Sequence, residues 1–222
     1  MVVALFLAWL VFVIATPIYA WSTTAKEDVM PIGERPARDP GDLWLLVGSD
    51  SREGLSATDR ERLGTGNTEG RRTDTMMLLY VPPSGKPALI SIPRDSYVAI
   101  PCHGRNKINA AYALGGPQLL IQTVELNTGL RVDHYAEIGF GGFVSVIDAL
   151  GGIEMCPETA IKDRNSRLDV PAGCQNMNGP TALAYARMRY SDPLGDVGRM
   201  RRQREMVSAM VDKAASPMTV LN

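Results

Sequence analysis

Histidine is scarce in this chain: His103 and His134 are the only two in 222 residues. The three cysteines, Cys102, Cys156 and Cys174, contain no Cys-x-x-Cys pair. Zinc sites need such ligands clustered at fixed spacing, so a zinc reading is excluded. Neither histidine has a recognisable serine and acid partner, which leaves no legible Ser-His-Asp arrangement. P-loop and dinucleotide fingerprints are missing too. The nearest glycine-rich stretch, Gly139–Gly142 (GFGG), matches neither and reads as a packing turn. No charge of one sign dominates: the net charge is −1 with a pI near 6.1. No overall field therefore favours nucleic acid. There is no internal repeat, and no Lys or Arg precedes Lys26.

What the first residues do hold is apolar length. Val2–Trp21 runs VVALFLAWLVFVIATPIYAW without a charge, which is long enough to span a bilayer. Trp9, Tyr19 and Trp21 suit an interface at one end or the other. The run reads as a single-pass anchor over 1–21, with a cleaved signal peptide as the competing reading. Both put residues 22–222 outside the cytoplasm. A signal anchor normally carries a basic cytoplasmic leader, so the start reads as clipped. Outside the cytoplasm, one disulfide and one odd thiol are expected. Cys156 and Cys174 bracket a loop rich in Pro, Asp and Asn, the kind a disulfide pins; three reduced cysteines are the alternative. Closing roughly 15–20 residues stabilises by about 3 kcal/mol in the chain-entropy model.

Residues 22–42, with Pro31, Pro36 and Pro40 among mixed charges, read as a linker. Beyond them the pattern predicts a buried strand at Leu43–Val47 and a polar, Gly-rich mobile loop over Arg52–Arg72. Thr75–Val81 and Ala88–Ile92 read as a strand pair around PPSGKP. Two helical stretches, Ile108–Leu114 and Gln118–Asn127, are broken by Gly115-Gly116-Pro117. A strand is predicted at His134–Ile138 and a helix at Phe143–Leu150, ended by Gly151-Gly152. Asn178-Gly179-Pro180 opens a helix through Arg189. The last helix covers Arg199–Ala214. Alternating strands and helices point to an α/β sandwich over residues 43–215.

Six arginines crowd Arg187–Glu205 against three carboxylates, a local surplus of three on a near-neutral chain. Asp and Arg recur together in GSDSR (Gly48–Arg52), RRTDT (Arg71–Thr75) and SIPRDS (Ser91–Ser96). Guanidinium forks bind phosphate oxygens in pairs, and carboxylates suit a hard divalent cation that bridges phosphates. The pattern points to a phosphate or pyrophosphate site. Asp50 and Asp74, at strand ends, are the candidate ligands of one Mg²⁺ (or Mn²⁺) ion. Arg94 follows Pro93, which fixes the backbone and aims the side chain, and Asp95 supports it. Asp196, inside the arginine cluster, is the candidate general base. At 100° per residue, Arg199, Arg202, Gln203, Met206 and Met210 share one side of the last helix. That side should pack inward, with Arg199 and Gln203 at the site. Arg201 and Arg204 fall on the other side and should face water, while Arg202 sits at the edge.

In order along the chain, LWLLVGSDSR, RRTDTMML, SIPRDS, NKINAAYALGG, DHYAEIGFGGFVSVIDALGGIE and GPTALAYARMRYSDPLGDVGRMRRQ resemble the LytR-CpsA-Psr (LCP) family of envelope glycopolymer transferases. The resemblance runs from about Leu43 to Lys213. The placement of Cys156 and Cys174 is similar to actinobacterial members. The resemblance implies a mixed sheet flanked by helices on both sides, outside the cell on an N-terminal membrane helix. It implies transfer of a glycopolymer from a polyprenyl-pyrophosphate carrier to a peptidoglycan sugar hydroxyl through a phosphodiester, assisted by Mg²⁺. Family metal positions fall on Asp50 and Asp74, and pyrophosphate contacts on Arg72, Arg94, Arg187, Arg189 and Arg199, with Gln203 alongside. Of these, Arg94, Arg187 and Arg189, with Asp196, are the candidate catalytic residues. Lys107 and Asn109 are implied as supporting residues, and a hydrophobic cavity is implied for the prenyl chain. The chain ends earlier than is usual for the family. Competing readings are a pyrophosphatase acting on the same lipid and a membrane-tethered, non-catalytic sensor or attenuator. Nothing reads as a DNA-binding helix pair.

Overall fold

The computed structural model of the chain describes Ala15, Ser22 and residues 25–51, 56–63, 65, 73–188, 192 and 194–216. The expected membrane segment Val2–Trp21 lies, apart from Ala15, outside the described residues; so do Arg72 and Arg189. Among the described residues no helix is long and apolar enough to cross a membrane.

A four-stranded sheet organises the molecule, in the order β3 (Ala88–Ser91), β2 (Thr73–Val81), β1 (Asp42–Ser49), β6 (His134–Ile138). The first two pairings are antiparallel and β1–β6 is parallel, so the sheet is mixed. The run LWLLV reads as a short buried strand. Burial instead alternates: Leu43, Leu45 and Val47 are buried, while Trp44 and Leu46 are half-buried. The buried set packs with Met76 and Leu78 of β2 against helix α2 (Ile108–Thr128), through Ile108, Tyr112, Leu120, Ile121 and Val124. α2 holds both predicted helical stretches, joined across a kink. Gly116 has φ 64°, a conformation that only glycine adopts freely, and a Cβ on Gly115 would stand 2.6 Å from that of Leu119. Pro117 then restarts the helix. The opposite face of the sheet meets helix α5 (Gly195–Ala215) at β3. There Arg204 Nη1 lies 3.5 Å from Ser91 Oγ, and Ser91 pairs with Met77, turned away from α2.

A second core joins α3 (Phe140–Ala149), α4 (Gly179–Arg187), α5 and the small ladder β7 (Ile153–Met155)–β10 (Gln175–Met177) around Ile147, Ile153, Met177 and Met206. α3 starts three residues earlier than predicted, because GFGG is its N-terminus: Gly139 caps it, and the Phe140 amide donates to Ser51 O. α4 is capped by the Asn178 side chain, which accepts from Thr181 N. It stops at Arg187, short of the expected Arg189. The segment expected to be a mobile loop contains a short helix, α1 (Ala57–Arg62), started by Ser56 accepting from Asp59 N. Three short ladders went unpredicted: β4 (Tyr97–Ile100)–β5 (Gly104–Lys107), β7–β10 and β8 (Ile161–Asp163)–β9 (Leu168–Val170). Met155 pairs with Gln175, so the next residues outward, Cys156 and Cys174, face one another and form the disulfide. Cys102 is the exposed free thiol.

Within the expected linker, Val29 and Met30 pack on the first core. Arg35 is ion-paired with the buried Glu125 of α2 at 2.6 Å and donates to Val132 O. That anchors the segment to the domain well before β1 begins.

Candidate functional site

β2 begins and β3 ends at the same edge of the sheet, because the two strands are antiparallel. Asp74 stands there on β2, and the turn after β3 carries Arg94 and Asp95. Across from them runs α5. Its Asp196, Arg199, Met200 and Gln203 are spaced i, i+3, i+4, i+7 and so share one face. These residues, with Thr75, Met76, Ser91, Ile92 and Pro93, line a cleft of about 60 Å³.

Arg94 is central to it. Its Nη1 donates to Asp74 Oδ1 at 2.6 Å, and its Nε lies 3.5 Å from Asp95 Oδ2. Asp95 is held from behind by Lys107 Nζ at 2.5 Å. Burial works to lower the Arg94 pKa, but the hydrogen bond and charge of Asp74, with the charges of Asp196 and Asp95, outweigh it and raise the pKa above its ordinary value. The guanidinium therefore stays charged. Asp95 is held below its usual value, first by the Lys107 hydrogen bond and also by Arg94, against a desolvation that works the other way.

The start of α2 braces this turn. Its first amides donate backward, Ile108 N to Ser96 O at 2.8 Å and Asn109 N to Arg94 O at 3.3 Å. Helix-start amides that have no partner within the helix thereby fix the peptide carrying Arg94. Lys107 and Asn109 do not line the cleft. Lys107 pairs with Asp95, and Asn109 reaches the turn through its backbone amide.

On α5 the wheel holds. Arg199 is buried and faces the cleft, Gln203 lines it, and Arg201 is exposed and paired with Glu205. Arg204 is exposed, though it reaches Ser91. Arg202 goes fully inward, ion-paired with Asp192 and donating to Met188 O at 2.6 Å, with its guanidinium 5.6 Å from the Tyr185 ring. A Cβ on Gly198 would collide with the Asp192 carboxylate, which explains the glycine. Burial works to raise the Asp192 pKa, but the Leu194 amide and Arg202 outweigh it and hold it below 3.8. Asp196 is not a lone carboxylate: its Oδ1 lies 3.4 Å from Arg199 Nη2.

Arg187 is not among the residues lining the cleft. It donates to Leu63 O at 3.0 Å and lies 5.1 Å over the Phe140 ring, tying α1 to α3. A cation–π partner and a carbonyl outweigh helix-end placement in directing this side chain. Asp50 follows β1 directly, and Ser49 pairs with Thr73, so Asp50 and Asp74 end adjacent strands at one edge of the sheet. Among the described residues no group of three or more His, Cys, Asp or Glu side chains forms a metal cluster. Asp50 is not among the residues lining the cleft, and Asp74 Oδ1 already accepts from Arg94; an ion that keeps most of its waters would need only one or two such carboxylates.

The α/β domain brings arginines and carboxylates together at its strand ends, an arrangement that can hold an anionic phosphate group. Residues 25–222 match the LytR_cpsA_psr family model. The chain is 52% identical over 214 residues to the probable cell wall biosynthesis protein LcpB of Corynebacterium glutamicum, covering 96% of this chain and 51% of that one. It is 38% identical over 159 residues to the polyisoprenyl-teichoic acid–peptidoglycan teichoic acid transferase TagU of Enterococcus faecalis, covering 71% and 52%. Among solved structures, TagT with bound octaprenyl pyrophosphate lipid aligns with a TM-score of 0.62 at 28% identity, over 83% of this chain and 72% of that one. TagT bound to LIIa-WTA aligns with a TM-score of 0.67 at 28% identity, over 84% and 71%. The chain belongs to the LytR-CpsA-Psr family. It spans about half the length of these two curated relatives.

Proposed function

We propose that this chain carries the phosphotransfer site of an envelope glycopolymer transferase. The observation that carries the reading is the convergence of Arg94 and Arg199 with Asp74 and Asp196 on one cleft, in a relative of a protein solved with a polyprenyl pyrophosphate. The donor is a glycopolymer on a polyprenyl-pyrophosphate carrier, and the acceptor is a sugar hydroxyl of peptidoglycan. Val2–Trp21 holds the domain to the outer face of the membrane.

The forked guanidinium of Arg94 takes oxygens of the pyrophosphate, joined by Arg199 and, from outside the described residues, Arg72 and Arg189. Gln203 donates alongside. The acceptor oxygen forms a bond to the sugar-linked phosphorus as the bond from that phosphorus to the bridging oxygen breaks. Polyprenyl phosphate leaves and a sugar phosphodiester remains. Charge building on the bridging oxygen is stabilised by the guanidinium groups. Asp196 accepts the proton of the acceptor hydroxyl. Asp74 and Asp50 would hold Mg²⁺, which supplies further positive charge at the phosphate oxygens.

The test supplies the chain with Mg²⁺, a prenyl-pyrophosphate oligosaccharide and peptidoglycan, and follows the sugar. Sugar joined to peptidoglycan supports transfer, and its loss in Asp74→Ala assigns the site. Release of free phosphorylated sugar supports a pyrophosphatase instead. Binding without turnover supports a sensor and overturns the enzyme reading.

A further inference from the structure

A transferase must hold an acceptor sugar against the cleft. The β4–β5 hairpin adjoins the cleft through one carboxylate. Asp95 lines the cleft, and Lys107, the last residue of β5, is paired to it at 2.5 Å. Tyr97 pairs with Lys107 and Ala99 with Arg105, so all four side chains share one face of the hairpin. The other face is spent on the core: Val98 and Ile100 pack against the first cluster.

On the outward face Tyr97 is 64% exposed. It is also held in place. The Arg105 guanidinium lies 5.4 Å over its ring, and Arg105 Nη2 donates to Tyr97 O at 3.1 Å. A single exposed aromatic is ordinary on a protein surface. A ring that stays exposed while pinned by a cation and by the strand ladder loses little freedom on binding. Such a ring offers its face to the C–H side of a pyranose. The guanidinium beside it can meet hydroxyl and amide oxygens. The face has the mixed polar and aromatic character that suits sugar.

We propose that the outer face of β4–β5, centred on Tyr97 and Arg105, binds the acceptor glycan strand of peptidoglycan and delivers its hydroxyl to the cleft past Lys107 and Asp95. This rests on the transferase reading of the cleft. It adds an acceptor subsite, distinct from the pyrophosphate contacts.

The experiment measures two bindings of the 222-residue chain in detergent: cosedimentation with peptidoglycan stripped of secondary polymers, and calorimetric titration with inorganic pyrophosphate and Mg²⁺. Tyr97→Ala should weaken peptidoglycan binding about five-fold or more, as loss of a stacking contact does, and leave pyrophosphate binding unchanged. Tyr97→Phe should retain both, and Arg105→Ala should weaken the glycan arm alone. Unchanged peptidoglycan binding in Tyr97→Ala overturns the proposal while the cleft reading stands. Parallel loss of both ligands also overturns it, by making Tyr97 a structural support of the cleft. Wild-type chain that binds peptidoglycan through Tyr97 but not pyrophosphate sinks the cleft reading instead.

Discussion

Asp74 and Arg94 hold one another at 2.6 Å, yet the proposed chemistry asks Asp74 to hold a cation and Arg94 to hold an anion. Each must loosen its grip on the other for either ligand to bind fully. The cost can be worked out. With charge centres roughly 4 Å apart, the attraction is about 4 kcal/mol at an effective dielectric constant near 20. Asp74 is 47% exposed, and solvent screening brings this to about 1 kcal/mol, a factor of about five in an equilibrium constant. Replacing Asp74 with Asn removes the charge that competes for Arg94. In EDTA, Asp74→Asn should therefore bind inorganic pyrophosphate about five-fold more tightly than wild type by titration calorimetry. The same variant should lose the cation dependence of binding. Asp196→Asn loosens only the longer Asp196–Arg199 pair, 3.4 Å against 2.6 Å, so its gain should be smaller. In an Arg94→Gln background the Asp74→Asn gain should vanish. Equal gains from both Asn variants in both backgrounds would refute the reasoning, since the effect would then be general repulsion.

Arg94→Lys should lower transfer about ten-fold or more, because a fork that holds two oxygens becomes a point charge; a steady-state rate measurement checks it. Asp192→Asn should cost about 3 kcal/mol at pH 7 in urea unfolding, since it leaves Arg202 buried without its counter-charge. Asp192 is depressed in the fold, so its contribution is present above the ordinary value of 3.8 and lost as pH falls below it; the gap between variant and wild type should close there. Replacing Cys156 and Cys174 with Ser should lower stability by about 3 kcal/mol, read from the unfolding midpoint under oxidising conditions. Arg201→Ala should leave both unfolding and pyrophosphate binding unchanged, because Arg201 faces water beside Glu205.

The strands of the main sheet and both long helices were legible because their apolar spacing is regular and glycines mark their ends. The short ladders β7–β10 and β8–β9 were not. Three-residue strands such as Ile161–Asp163 carry too few side chains for a period to register, and pairing across the disulfide loop decides them. Within the site, Arg94, Asp74, Arg199 and Gln203 could be found from Asp–Arg recurrence and the helical wheel. Arg187 could not, because residue type and position do not reveal that the Phe140 ring and the Leu63 carbonyl will claim it. The Asp192–Arg202 pair was hidden in the same cluster for the opposite reason: eight arginine and aspartate positions look alike until burial separates them. Gly198, which makes room for the Asp192 carboxylate, was the one local clue.

The Arg35–Glu125 pin also sets a distance. With Val29 already seated on the core, only residues 22–28 separate the proposed membrane segment from the body of the domain. Seven residues, fully extended, reach about 25 Å. On the proposed anchor, a domain on so short a leash would work within a shallow layer above the lipid headgroups. It would meet a carrier lipid's headgroup moving in the plane of the membrane, and it would reach only the wall strands nearest that membrane.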